Sequence, residues 1–214
     1  MENKEILKHI DHTLLKAYSS FEDIKILCDE AIKNETASVC IPQTYIKRVK
    51  DNYPSLNVCT VIGFPLGYNS TKSKVVEAEN AMEDGASEID MVINISDVKN
   101  GDYKKVEDEI KTLRQTCKGK ILKVIVETCY LTDDEKIKMC KAVTNAKADY
   151  IKTSTGFGTD GAKMEDVLLF KKNIGDDVKI KASGGVKSKE DLIAFIEAGC
   201  DRIGTSSAVK MLEK

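Results

Sequence analysis

The sequence of 214 residues has no tryptophan, three prolines, two histidines and a net charge of only −2. Each scarcity excludes something. With so little proline, and no linker rich in proline, glycine or serine, nothing marks an internal boundary, so one domain over residues 1–214 is the simplest reading. With 33 basic and 35 acidic residues there is no cationic excess of the kind a general nucleic-acid binder shows. No apolar run approaches the length of a membrane span, and Met1-Glu2-Asn3-Lys4-Glu5 lacks the apolar segment of a signal peptide. The expectation is a cytoplasmic protein without membrane or nucleic-acid partners. Seven cysteines, at 28, 40, 59, 117, 129, 140 and 200, form no CxxC pair, and two histidines are too few for a structural zinc site. Reduced thiols that mostly fill the core fit best. P-loop, HExxH and nucleophile-elbow sequences are missing as well.

What the chain does contain is an unbroken alternation of helical and strand-like segments. Apolar runs at 10–15, 38–41, 57–62, 87–94, 120–127, 149–154, 178–183 and 201–204 read as strands. Between them, apolar residues recur at helical spacing. Ser19 with Glu22, Thr132 with Glu135, and Ser188 with Asp191 offer helix-starting patterns, and Gly85 and Gly199 offer stops. Eight strands, each followed by a helix, is the count of a closed (β/α)8 barrel, here with a short helix over 2–8 in front. An open doubly wound sheet would show the same alternation.

In a barrel the chemistry belongs at the C-terminal strand ends. Those ends hold Asp11, Cys40, Asp90 with Asn94, Glu127, Lys152, Lys181, and Gly204 with Ser206 and Ser207. By alternation Lys152 shares a face with Tyr150 and Asp90 with Glu88, so charge points inward where branched apolar side chains are usual. Two lysines on consecutive strands would lie close enough to repel. Repulsion with partial burial leaves one amine neutral and able to form a Schiff base, an electron sink for the adjacent carbon–carbon bond. Asp90 is the group placed to exchange protons with the second lysine, or else a counter-ion to the pair. Gly184-Gly185 and Gly204-Thr205-Ser206-Ser207 suit a phosphate. Gly156-Phe157-Gly158-Thr159-Asp160-Gly161 matches a dinucleotide fingerprint literally, but no acidic residue ends the next strand, so it reads as a flexible loop beside the site. Cys40 and the Asp11–His12 pair are more ordinary as core and structural groups. Thr153, Ser154 and Thr155 either meet substrate hydroxyls or finish a strand.

Taken together, Asp11–Lys16, Val39–Pro42, Val61–Pro65, Glu88–Asn94, Leu122–Thr128, Tyr150–Phe157, Lys179–Val186 and Arg202–Ser207 resemble the deoxyribose-phosphate aldolase family nearly end to end. The resemblance implies a (β/α)8 barrel that reversibly cleaves 2-deoxy-D-ribose 5-phosphate to acetaldehyde and D-glyceraldehyde 3-phosphate, with neither metal nor organic cofactor. It assigns the Schiff base to Lys152, with Lys181 tuning it and sharing proton transfer with Asp90. Gly184, Gly185, Gly204, Ser206 and Ser207 match the phosphate-binding positions, while Asp11, Cys40 and Thr153 fall near the substrate. A homodimer is the only macromolecular partner it suggests. Some members carry a terminal tyrosine that assists proton transfer, whereas this sequence ends Met211-Leu212-Glu213-Lys214, leaving that step to Asp90, Lys181 and water. Pro42-Gln43-Thr44 also differs from the commoner family sequence. A Schiff-base enzyme acting on another sugar phosphate, and a non-catalytic sugar-phosphate-binding barrel, are the competing readings.

Overall fold

Side chains alternate between two faces along each short apolar run, and this alternation shapes the molecule. The computed structural model describes residues 1–212, so Glu213 and Lys214, the end of the tyrosine-free tail, lie outside the described residues. The strands are β1 (Ile10–Thr13), β2 (Ser38–Cys40), β3 (Val58–Ile62), β4 (Glu88–Val92), β5 (Ile121–Ile125), β6 (Tyr150–Lys152), β7 (Lys179–Ser183) and β8 (Cys200–Thr205). Each pairs in parallel with the next, and β8 pairs with β1, Ile10 opposite Ile203 and Asp11 opposite Gly204. That last pairing closes a (β/α)8 barrel and rules out the open sheet. A short helix, Asn3–Leu7, precedes β1 as expected.

Outward residues such as Val39, Ile89, Val124, Ile151 and Ile180 join Ile24, Ile110, Val143, Val167 and Leu192 from the helices in one apolar shell around the barrel. Burial of this shell is the main driving force for the fold. Tertiary context shifts several local features. The first long helix, Phe21–Lys33, is capped by Ser20 and Asp23, not by Ser19 and Glu22. Ser19 is committed elsewhere: its N–H donates to Lys16 O and its carbonyl accepts the Tyr45 hydroxyl. The run after β4 ends early because Asn94 turns its side chain onto the N–H groups of Ser96 and Asp97, capping an extra helix, Ile95–Lys99. Asn94 is thereby used as a cap at a strand end. The Ser188–Asp191 box and the left-handed Gly199 stop are as the sequence predicts. Among the described residues no helix is long and apolar enough to cross a membrane.

Thr132 accepts the Glu135 N–H while Glu135 accepts the Thr132 N–H, closing a reciprocal cap on the helix Asp133–Asn145. Replacing Thr132 with Ala should cost about 1 kcal/mol, or roughly 2–4 °C in Tm for a chain of this size. Calorimetry should show that shift with turnover unchanged, since Thr132 lies outside the site described below.

Candidate active site

Lys152 and Lys181 stand directly opposite each other across the β6–β7 pair. Their ammonium groups converge on one oxygen: Lys152 Nζ lies 2.8 Å and Lys181 Nζ 2.7 Å from Asp90 Oδ2. Lys181 also bridges to Asp11 Oδ2 at 2.5 Å. The second Asp90 oxygen accepts from Lys123 Nζ at 2.9 Å and from Cys59 Sγ at 3.2 Å. One carboxylate thus holds three lysines, all in the barrel lumen.

The rest of the lumen continues the pattern. Lys123 reaches Glu88 at 2.5 Å, and Arg202 Nη1 joins Asp11 at 2.5 Å and Glu88 at 3.1 Å. Arg202 faces inward opposite Lys181, on the same side of β8 as Gly204; just before it the β7–β8 pairing slips, Ile180 pairing with Cys200 and Lys181 with Arg202, so that Asp201 is the extra residue of a bulge. Lys123, Arg202 and Cys59 were not singled out by sequence reasoning. For Lys123 the signal was present, a solitary lysine inside Ile121-Leu122-Lys123-Val124-Ile125 at an inward position. For Arg202 the signal was alternation from Gly204, two residues on, which puts both on the inward face.

Burial alone would push the Asp90 carboxyl up, but Lys123, Lys152 and Lys181 outweigh it and hold Asp90 well below the usual carboxylate range. Asp11 is likewise lowered: burial opposes ionisation, and Lys181, Lys123 and Arg202 prevail. Burial pulls the Lys181 ammonium down, yet Asp11 and Asp90 reverse this and keep it above the ordinary lysine value. Lys181 is therefore a fixed cation beside Lys152.

Above this network lies a cavity of about 430 Å³ lined by Thr13–Lys16, Lys152, Thr155–Phe157, Ser183–Val186 and Gly204–Ser207. Of the three lumen lysines, Lys152 is the one in its wall. Gly184, Gly185, Gly204, Ser206 and Ser207 all line it, so the two sequence-predicted phosphate loops face the same space as Lys152. Gly184 and Gly185 take φ of +73° and +74°, two successive left-handed residues that turn the backbone around the cavity end and that side chains would strain. Lys16, not singled out from the sequence, adds a cation to this wall. Asp11, Cys40, Asp90 and Lys181 are completely buried and sit outside the cavity lining. Thr153 is also buried, its hydroxyl accepting the Ser183 N–H at 3.1 Å and tying β6 to β7. His12 turns outward and bonds Glu30 at 2.8 Å, apart from Asp11 chemistry.

Cys40, Cys59 and Asp90 place ligand-type atoms within 4.8 Å of one another, as do Asp11, Cys59 and Glu88. In both sets the carboxylates are already compensated by lysines and Arg202, so a cation would have to enter against a surplus of positive charge. The lumen suits amine chemistry better than metal binding.

Residues 6–207 match the family model described as DeoC/LacD family aldolase. A deoxyribose-phosphate aldolase from Clostridium botulinum (strain Alaska E43 / Type E3) is 63% identical over 214 residues, covering 100% of this chain and 97% of that one. One from Clostridioides difficile (strain 630) is 57% identical over 211 residues, covering 98% and 96%. The structure of deoxyribose phosphate aldolase from Aeropyrum pernix, described as a unique tetramer, superposes with a TM-score of 0.93 at 32% identity, covering 99% of this chain and 91% of that one.

The lowered Asp90 carboxyl makes a pH prediction. A carboxyl depressed in the native state stabilises above its unfolded value, about 3.9, and that contribution is lost as pH falls toward the native value. The Tm gap between the wild type and Asp90→Asn should therefore stay constant from about pH 5 to 8 and shrink below about pH 4. A gap already closing between pH 7 and 5 in calorimetry would contradict the assignment of Asp90 as a deeply stabilised anion.

Proposed function

The chain belongs to the DeoC/LacD family of aldolases, and on that premise we infer that it reversibly cleaves 2-deoxy-D-ribose 5-phosphate to D-glyceraldehyde 3-phosphate and acetaldehyde through a lysine Schiff base. The observation that carries the reading is the division of labour between two register-matched lysines. Lys181 is locked between Asp11 and Asp90, while Lys152 shares the same Asp90 oxygen and opens into the cavity.

In the cleavage direction the Lys152 amine attacks the C1 aldehyde carbon, and loss of water gives the iminium. Among the described residues the lumen sets four cationic groups (Lys123, Lys152, Lys181 and Arg202) against three carboxylates (Asp11, Glu88 and Asp90). Lys152, the one of these groups in the cavity wall, is the amine that substrate can reach, and it is the free amine that acts as nucleophile. As the C2–C3 bond breaks, its electron pair moves to the iminium nitrogen and leaves an enamine, and the proton of the C3 hydroxyl passes to water held by Lys181 and Asp90. Protonation of the enamine at C2 and hydrolysis then release acetaldehyde and restore Lys152. Gly184, Gly185, Gly204, Ser206 and Ser207 hold the phosphate, with Lys16 adding charge. Asp11 and Cys40 support the site from below: Asp11 fixes Lys181, and Cys40 packs beside Cys59 under the lysines. Thr153 keeps the floor joined to the phosphate turn. Acetaldehyde and a small sugar phosphate are the molecules this site exchanges. A homodimer of the chain working in the cytoplasm, in deoxyribonucleoside breakdown, completes the proposal.

Treatment with acetaldehyde and borohydride should add an ethyl group that peptide mapping places on Lys152; an adduct on neither lysine would remove covalent catalysis. Lys181→Leu should abolish turnover, while circular dichroism shows a folded protein. An active Lys181→Leu enzyme would contradict the role given to that cation.

A further inference from the structure

Glu127 lies just past the end of β5, two residues after Ile125, and none of the lumen ion pairs includes it. Its backbone is left-handed, φ +55° and ψ +68°, a conformation that costs a side-chain-bearing residue about 1–2 kcal/mol. Its side chain is 2% exposed, so a carboxylate has been buried as well. Two unfavourable features at one position call for something that the position does.

Apart from Cys129 Sγ, which approaches one carboxylate oxygen at 3.9 Å, its side-chain contacts run to the segment after β6. The carboxylate accepts the Thr155 N–H at 3.2 and 3.3 Å and the Thr155 hydroxyl at 2.5 Å. Thr155 Oγ1 in turn accepts the Phe157 N–H at 3.0 Å. Gly158 rests on the same group: a Cβ there would sit 3.1 Å from Glu127 Cδ and 2.9 Å from Cys129 Sγ. The far end of the loop is tied down separately. Ala162 N–H donates to the carbonyls of Ser183 and Gly184 at 3.0 and 3.1 Å, and Gly161 lies so close to the Gly184 backbone that a Cβ would collide with it. The glycine-rich loop that the sequence suggests is flexible is thus clamped, with Glu127 at one end and the Gly184-Gly185 turn at the other. Its Thr155–Phe157 face forms a wall of the cavity, and Glu127 stands behind that wall.

We propose that Glu127 is a positioning residue: its buried carboxylate, held by a left-handed backbone, fixes the loop over residues 155–162 so that the cavity fits a phosphorylated substrate, without joining the chemistry at Lys152. The proposal rests on the function given above and deepens it. The carboxylate, not the backbone, makes the bonds to Thr155, and the loop it anchors ends on the candidate phosphate turn. Removing the carboxylate should therefore loosen substrate binding while leaving the Lys152 amine in place.

Steady-state kinetics with 2-deoxyribose 5-phosphate, alongside acetaldehyde–borohydride labelling of Lys152, separates these effects. Glu127→Ala should raise KM by about tenfold to a hundredfold, with labelling of Lys152 within about twofold of the wild type. Glu127→Gln keeps an oxygen for the Thr155 N–H and should recover most of the loss. Gly158→Ala pushes on the same contact from the loop side and should raise KM as well, which keeps the test decisive if Glu127→Ala does not fold. Unchanged KM in a folded Glu127→Ala or Gly158→Ala protein would overturn the proposal. So would loss of Lys152 labelling in Glu127→Gln, because it would place Glu127 in the chemistry itself. Labelling of the wild-type protein tests the aldolase reading independently, whereas the KM shifts speak for Glu127 alone.

Discussion

The structure depends on one carboxylate shared by three lysines. Asp90 sits on β4, and Lys123, Lys152 and Lys181 reach it from the three strands that follow. Each of these groups would be costly to bury alone, since an unpaired charge in a protein interior is strongly destabilising. Together they compensate one another, and removing any one leaves the others exposed to that cost. The sharing also makes the lysines unequal. Lys181 has a second carboxylate, Asp11, and Lys123 has a second in Glu88, but among the described residues Lys152 forms an ion pair with Asp90 alone, and it stands in the cavity wall.

The barrel tolerates such a lumen because its apolar burial lies elsewhere. The shell between strands and helices contains Ile89, Met91, Val124, Ile151 and Phe170, all completely buried. Inside, polar contacts continue below the site: Asn57 donates to Glu88 at 2.6 Å, and the Tyr150 hydroxyl bonds Asp201. Stability and function are thus placed on opposite faces of the same strands. The cavity then needs only loops at the open end, two of them rich in glycine and one clamped by Glu127.

The eight-fold alternation, most helix ends and the opposition of Lys152 and Lys181 were legible in the sequence because each follows from short-range periodicity. Asp90 was also legible, by alternation from Glu88. Arg202 shares the face of Gly204 by the same alternation, but its meaning was hidden because its partners Asp11 and Glu88 lie on strands remote in sequence. Nor could local pattern choose between Ser19 and Ser20 as a cap, because a distant tyrosine claims the Ser19 carbonyl. Asn94 reads as the end of an inward face, yet its side chain is spent on a helix that composition does not announce. Lys123 was visible but unweighted: one lysine in an apolar strand has many meanings until the opposite side of the barrel is known. The loop over residues 156–161 gave the least away, because Gly158 and Gly161 are required by close approach to Cys129, Glu127 and Gly184, residues remote in sequence.

A crystal structure of the protein after borohydride reduction with acetaldehyde tests the central claim most directly. The account predicts an ethyl group on Lys152 Nζ, with Lys181 still bridging Asp11 and Asp90 and the loop over residues 155–162 still seated on Glu127. An ethyl group on Lys181, or a Lys181 withdrawn from Asp90, would contradict it.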